Sequence, residues 1–150
     1  MKRPDFMAQA FAEAEAAAAR GEVPIGAVIV HGTEIVARAG NRTRELNDAT
    51  AHAEMLAIRE ASAKLGQERL TGLDLYVTLE PCTMCAAAIS FARLRRLYFG
   101  ATDDKGGAVV SGVRFYTSPT CHHAPDVYAG IGETRASEML KGFFKDRRED

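Results

Sequence analysis

Four residues have types and spacings that could do chemistry together: His52 and Glu54 in the run His-Ala-Glu, and Cys82 and Cys85 in Pro-Cys-Thr-Met-Cys. Cysteines at i and i+3 share one face of a helix. At a helix start the free N–H groups and the positive dipole end favour the thiolates that a metal needs. Two thiolates and one imidazole make three protein ligands for zinc. Three ligands leave one position for water, whereas a structural zinc site is normally closed by four. Water in that position has its pKa lowered from about 16 towards about 7, which supplies a nucleophile at neutral pH. Glu54 then carries protons between that water and the substrate. Residues two apart on a regular helix point about 200° apart at 3.6 residues per turn, so a site using both His52 and Glu54 must lie over the end of the helix.

Each part has a plainer reading. A histidine near a helix start is often a packed or capping residue, and a first-turn glutamate complements the dipole. A Cys-x-x-Cys after a strand also suits a thioredoxin-like redox pair. The combination favours metal, because thiol exchange requires neither His52 nor Glu54 while a hydrolytic zinc site requires a third ligand and a base. Cys121, His122 and His123 form a second cluster, but adjacent side chains are too close along the chain to chelate one ion well, and they read as loop residues.

The elements that must position these residues follow from periodicity and punctuation. Phe6, Met7, Ala10, Phe11 and Ala14 recur at helical spacing over 5–20, and Gly21 ends the segment. PIGAVIVHGTEIVARAGN reads as a hairpin turning at Gly32-Thr33. After a polar loop over 42–48, Thr50 is the expected cap of a helix over 51–65 closed by Gly66. LDLYVTL (73–79) is a nearly continuous apolar run, as in a strand covered on both faces. Pro81 suits the first position of a third helix over 82–94, with a strand over 96–100 after it, so strand, helix and strand suggest a parallel crossover. Glycines and prolines make 101–125 loop-rich, before a short strand near Val127 and a last helix over 133–146. This order implies an α/β fold, a three-layer α/β/α sandwich on a central mixed sheet of about five strands.

The 150 residues, 47% apolar and 26% charged, are the size of one domain spanning 1–150. Such a chain buries about two-thirds of its unfolded surface and needs no disulfides to fold. Gln9, Glu13 and Glu15 interrupt the alanine-rich N-terminal stretch and argue against a signal or transit peptide. The longest uncharged run, 81–92, is far short of the roughly 20 residues that cross a bilayer. A cytoplasmic protein without a membrane partner is expected. Nineteen basic against 20 acidic residues leave a net charge of -1, which supplies no general field for a polyanion. Arg93, Arg95 and Arg96, and Lys145, Arg147 and Arg148, are local basic groups suited to phosphate, although a solvated face is their ordinary use. Phe115 and Tyr116 offer stacking surfaces, although such residues are more often core.

His-x-Glu followed by Pro-Cys-x-x-Cys is the pattern of zinc nucleobase deaminases. Further runs extend the likeness: EVPIGAVIV (22–30), GNRTRELNDATAHAE (40–54), LYVTLEPCTMCAAAI (75–89) and FGATDDKGGA (99–108). With FFKDRR near the C-terminus, nearly the whole chain resembles the bacterial tRNA-specific adenosine deaminases. The resemblance implies a cytidine deaminase-like fold and one zinc per chain on His52, Cys82 and Cys85, with proton transfer by Glu54. It implies hydroxide attack on C6 of adenine, converting the wobble adenosine of a tRNA anticodon to inosine. It also implies that Asn41 holds the flipped base, that Asp103 and Lys105 lie in an RNA-contacting loop, and that a homodimer takes the tRNA anticodon stem-loop. DNA is not an expected partner, and an unpaired loop base costs less to extrude than a duplex one. Two other readings stay open: the same fold acting on a free base or nucleoside such as guanine or cytosine, and a zinc-stabilised RNA-binding module in which Glu54 only serves the helix start.

Overall fold

A computed structural model describes residues 4–149, with side chains described as far as residue 146. Helix α1 (Phe6–Ala19) is capped by Asp5, whose carboxylate accepts the Ala8 N–H at 3.0 Å. The expected hairpin forms from β1 (Gly26–His31) and β2 (Glu34–Gly40), and Gly32 in the left-handed region (φ 63) makes its turn. Then follow α2 (Ala53–Leu65), β3 (Asp74–Leu79), α3 (Thr83–Phe91), β4 (Arg96–Ala101), a short 3₁₀ turn at Phe115–Thr117, β5 (Asp126–Tyr128) and α4 (Glu133–Glu149).

The strands form a five-stranded mixed sheet in the order β2-β1-β3-β4-β5. Strand β1 runs antiparallel to β2 and β3, while β3, β4 and β5 are parallel. The β3-α3-β4 crossover is therefore parallel, as the order of elements suggests. Alternation along the strands splits the core in two. Ala27, Ile29, Leu75, Val77, Leu97 and Phe99 pack with Ala53, Ala57, Ala61, Ala86 and Ile89 of α2 and α3. Val28 and Val30 face the other way, onto Phe6, Met7, Ala10 and Phe11 of α1 and Ala136 of α4. These are the outer layers of an α/β/α sandwich. Gly26 is what lets α1 lie close on β1, since a Cβ there would come within 2.0 Å of the Ala10 carbonyl oxygen. No helix among the described residues is long and apolar enough to cross a membrane.

Three ends of α2 and α3 differ from the sequence-based expectation. Helix α2 starts at Ala53 with His52 as its N-cap, because Thr50 is turned back onto Asp48 Oδ1 through both its N–H (2.8 Å) and its hydroxyl (2.7 Å). Helix α3 starts at Thr83 with Cys82 as N-cap, so Pro81 precedes the helix rather than opening it. It also ends at Phe91, short of 94, because Arg93 takes the left-handed conformation (φ 61). The Arg93 N–H then bonds to the Ser90 carbonyl and that of Leu94 to Ile89, a Schellman closure with arginine where glycine is usual.

Candidate active site

Both cap residues have extended backbones, φ -74 and ψ 153 at His52, φ -72 and ψ 177 at Cys82. An extended cap projects its side chain beyond the helix end instead of off its side. Neither makes a capping hydrogen bond, and the two side chains instead meet. This removes the difficulty of His52 and Glu54 standing two apart, because only Glu54 belongs to the helix. His52 Nδ1 lies 3.6 Å from Cys82 Sγ and 3.5 Å from Cys85 Sγ, and the three ligand atoms fall within 4.8 Å of one another. Donors bonded to one zinc at about 2.0 and 2.3 Å with a tetrahedral angle stand roughly 3.5 Å apart, so this donor set fits that ion in both chemistry and spacing.

The electrostatics match a cation site. A hydrogen bond with Cys85 and then one with His52 pull the Cys82 thiol down to about 4. Cys85 is pushed up, first by that same bond to Cys82 and then by burial. His52 is raised, chiefly by its bond to Cys82. The cluster thus holds shared protons that a cation replaces on binding.

Glu54, only 4% exposed, lines a cavity of about 250 Å³ with His52, Cys82, Ile25, Leu79, Glu80, Asp103 and Gly106. Burial is the main reason that its carboxyl is pushed up to about 7, with its own backbone N–H working against that rise. A group poised there can both take and give a proton near neutrality.

The substrate-side residues named from sequence fall in different places. Asp103 is in the cavity wall, with Oδ1 accepting the N–H groups of Lys105 (3.2 Å) and Gly106 (3.0 Å). Lys105 is exposed and outside that wall. Asn41 is buried next to the cavity wall, its N–H donating to the carbonyl of the wall residue Ile25 at 3.1 Å and its side-chain amide reaching Thr43 Oγ1 at 3.5 Å. A wall residue that sequence reasoning passed over is Glu80. Burial works to raise its pKa but is outweighed by N–H donors from Asp103, Ser111 and Val109, which hold the carboxyl below the usual range. The available signal was an acid at the end of an apolar strand, directly before Pro81-Cys82.

The remaining candidates lie apart. Cys121 donates to the His123 carbonyl at 3.1 Å, and His123 Nε2 meets the Leu94 carbonyl at 2.8 Å, so that cluster ties down a loop. Phe115 and Tyr116 pack against the core, and the Tyr116 hydroxyl donates to the Ala86 carbonyl at 2.9 Å. Arg95 pairs with Asp74 through two bonds (3.0 and 2.9 Å), and Arg93, Arg95 and Arg96 sit at the end of β4 opposite the cavity. They are therefore remote from any base held beside Glu54. The side chains of Arg147 and Arg148 lie outside the described residues, and Lys145 is exposed on α4.

The chain is also similar to known proteins. A model of the family described as MafB19-like deaminase matches residues 1–148. A tRNA-specific adenosine deaminase of Agrobacterium fabrum is 65% identical, over 99% of this chain and 98% of its own. A solved structure from a study of A-to-I editing by tRNA:A34 deaminases at the wobble position of transfer RNA is 68% identical. It superposes with a TM-score of 0.89 over 90% of this chain and 98% of its own. Guanine deaminase from Bacillus subtilis is similar at 30% identity and a TM-score of 0.66, over 100% of this chain and 96% of its own.

Proposed function

The chain belongs to the MafB19-like deaminases and to the tRNA-specific adenosine deaminases; from that premise we propose that it converts adenosine to inosine at the wobble position of a tRNA anticodon. The observation that carries the chemistry is the meeting of two helix N-termini, which sets the ligand atoms of His52, Cys82 and Cys85 within 4.8 Å of one another, with His52 and Cys82 beside Glu54 in the wall of one cavity. The choice of substrate rests on the near-full-length likeness to relatives of that name.

On this reading His52 Nδ1 and the two cysteine sulfurs would hold one zinc, which when bound would supply a water activated at neutral pH. Hydrolysis replaces the C6 amino group of adenine by oxygen and releases ammonia. Glu54 would take one proton from the attacking water and deliver it to a ring nitrogen, then move the remaining proton of the new C6 hydroxyl to the departing amine, so that the C–N bond breaks, ammonia leaves and a C6 carbonyl remains. Burial suits it to this work, since a carboxyl with its pKa near 7 is not locked in either state. Leu79 and Ile25 supply the apolar wall for a planar base. Asn41 is read as holding that base, and Asp103 and Lys105 as shaping the RNA-contacting loop.

The cavity alone suits one base. Ile25, Leu79 and Asp103 also border a wider cleft of about 400 Å³ against Ser137, Leu140, Lys141 and Phe144 of α4, which gives neighbouring nucleotides somewhere to lie. A homodimer in the cytoplasm completes the proposal, as the family resemblance implies. The test is mass-spectrometric detection of inosine in an anticodon stem-loop, run beside ammonia release from free bases. Inosine at the wobble position is expected. Turnover of guanine or cytosine with the stem-loop untouched would replace this reading with a free-base deaminase.

A further inference from the structure

Glu80 is the last residue before the Pro81-Cys82 turn and is 2% exposed. Among the described residues no lysine or arginine pairs with it. Its oxygens instead accept hydrogen bonds from one loop alone. Oε1 takes the Asp103 N–H and the Ser111 hydroxyl, both at 2.9 Å. Oε2 takes the N–H groups of Val109 (3.0 Å), Val110 (2.9 Å) and Ser111 (2.9 Å). A carboxylate offers about four lone-pair sites, so five donors leave nothing with which to grip a substrate or move a proton. The contrast with a residue available for chemistry is complete.

The loop is drawn inwards at the same place. The Gly107 N–H bonds to the Asp103 carbonyl at 2.8 Å, the Ala108 N–H to the Pro81 carbonyl at 2.9 Å, and Gly107 forms an isolated bridge with Cys82. A Cβ on Gly107 would stand 2.4 Å from the Glu80 carboxyl carbon, so only glycine allows the loop to close over it. Asp103 and Gly106 of this loop form the cavity wall shared with Glu54 and His52.

We propose that Glu80 is a positioning residue, a buried clasp that holds the 103–111 loop as a wall of the catalytic cavity and so governs how the base is seated. The inference rests on the reading of that cavity as the place of deamination. Since both carboxylate oxygens of Glu80 are taken up by the loop, its loss weakens substrate binding more than it slows the chemistry, and leaves the metal in place.

Glu80→Gln tests this at constant shape. Its amide oxygen can serve one side of the clasp, but its NH₂ then faces N–H donors instead of accepting from them. The expected result is faster hydrogen exchange at the amides of 103 and 109–111, a rise in KM for the anticodon stem-loop on the order of tenfold, a smaller change in kcat, and one zinc per chain. Gly107→Ala, which intrudes on the same contact from the loop side, is expected to give the same split. Ser111→Ala, which removes a single donor, is expected to give a weaker form of it. If Glu80→Gln does not fold, those two variants carry the test. Unchanged exchange and KM overturn the proposal, as does loss of zinc or a fall in kcat at constant KM. The exchange measurement needs no substrate. If the wild type leaves the stem-loop untouched while exchange rises as expected, the assignment of substrate fails and the clasp stands, with its KM read on whichever base is turned over.

Discussion

Glu54 and Glu80 face one cavity from two sides, and their surroundings drive them to opposite states. Both are almost wholly buried, at 4% and 2% exposed, and burial pushes both carboxyls up. At the start of α2, the neighbours of Glu54 are a thiolate, an imidazole and a second thiol, and the net result is a carboxyl near 7. At the end of β3, Glu80 is met by four backbone N–H groups and a hydroxyl, and the net result lies below the ordinary carboxylate range. Burial by itself therefore does not decide what a glutamate does; the donors that come with it do. One acid is left free to exchange a proton, and the other is committed to architecture.

The largest effect on this contrast is expected from removing what Glu54 serves. Cys85→Ala should drop zinc well below one per chain by elemental analysis and abolish inosine formation. Zinc remaining at one per chain would show that the ligand set is wrong. Glu54→Gln comes next: deamination should fall by roughly 10² to 10⁴-fold, while zinc content and stem-loop affinity stay close to wild type. A fully active Glu54→Gln would erase the distinction between the two acids. Glu22 offers a milder test, because it is a second buried clasp, accepting the N–H groups of Arg44 (3.1 Å) and Glu45 (2.8 Å) on the opposite loop. Glu22→Gln should lower the unfolding free energy by about 1–3 kcal/mol, read as a lower denaturant midpoint, without loss of zinc. The smallest effect is expected from Lys105→Ala, an exposed cation outside the cavity wall. It should raise the stem-loop KM by a few-fold at low salt, and the difference should shrink as salt is added.

Most of the element order was legible, because apolar periodicity and glycine punctuation act locally. The hairpin at Gly32, the parallel β3-α3-β4 crossover and the last helix all follow from such signals. Helix ends were less legible. Thr50 has the side chain of a cap, yet Asp48 claims it, and the cap is His52. Arg93 gives no sign in its type that it adopts the left-handed turn usually left to glycine. Glu80 was passed over because its partners come from a loop 23 to 31 residues further along, a pairing that leaves no periodic trace.

By itself the sequence determined the donor types and the acid that accompanies them, because metal and proton chemistry depend on which atoms are present, and His52, Glu54, Cys82 and Cys85 can be read directly. Only the tertiary structure decided that these atoms point at one another. That required two helix caps with extended backbones, brought together by a sheet that packs α2 and α3 on the same face. It also decided which buried glutamate is free, since a pKa is set by the groups folded around a carboxyl and not by the carboxyl itself.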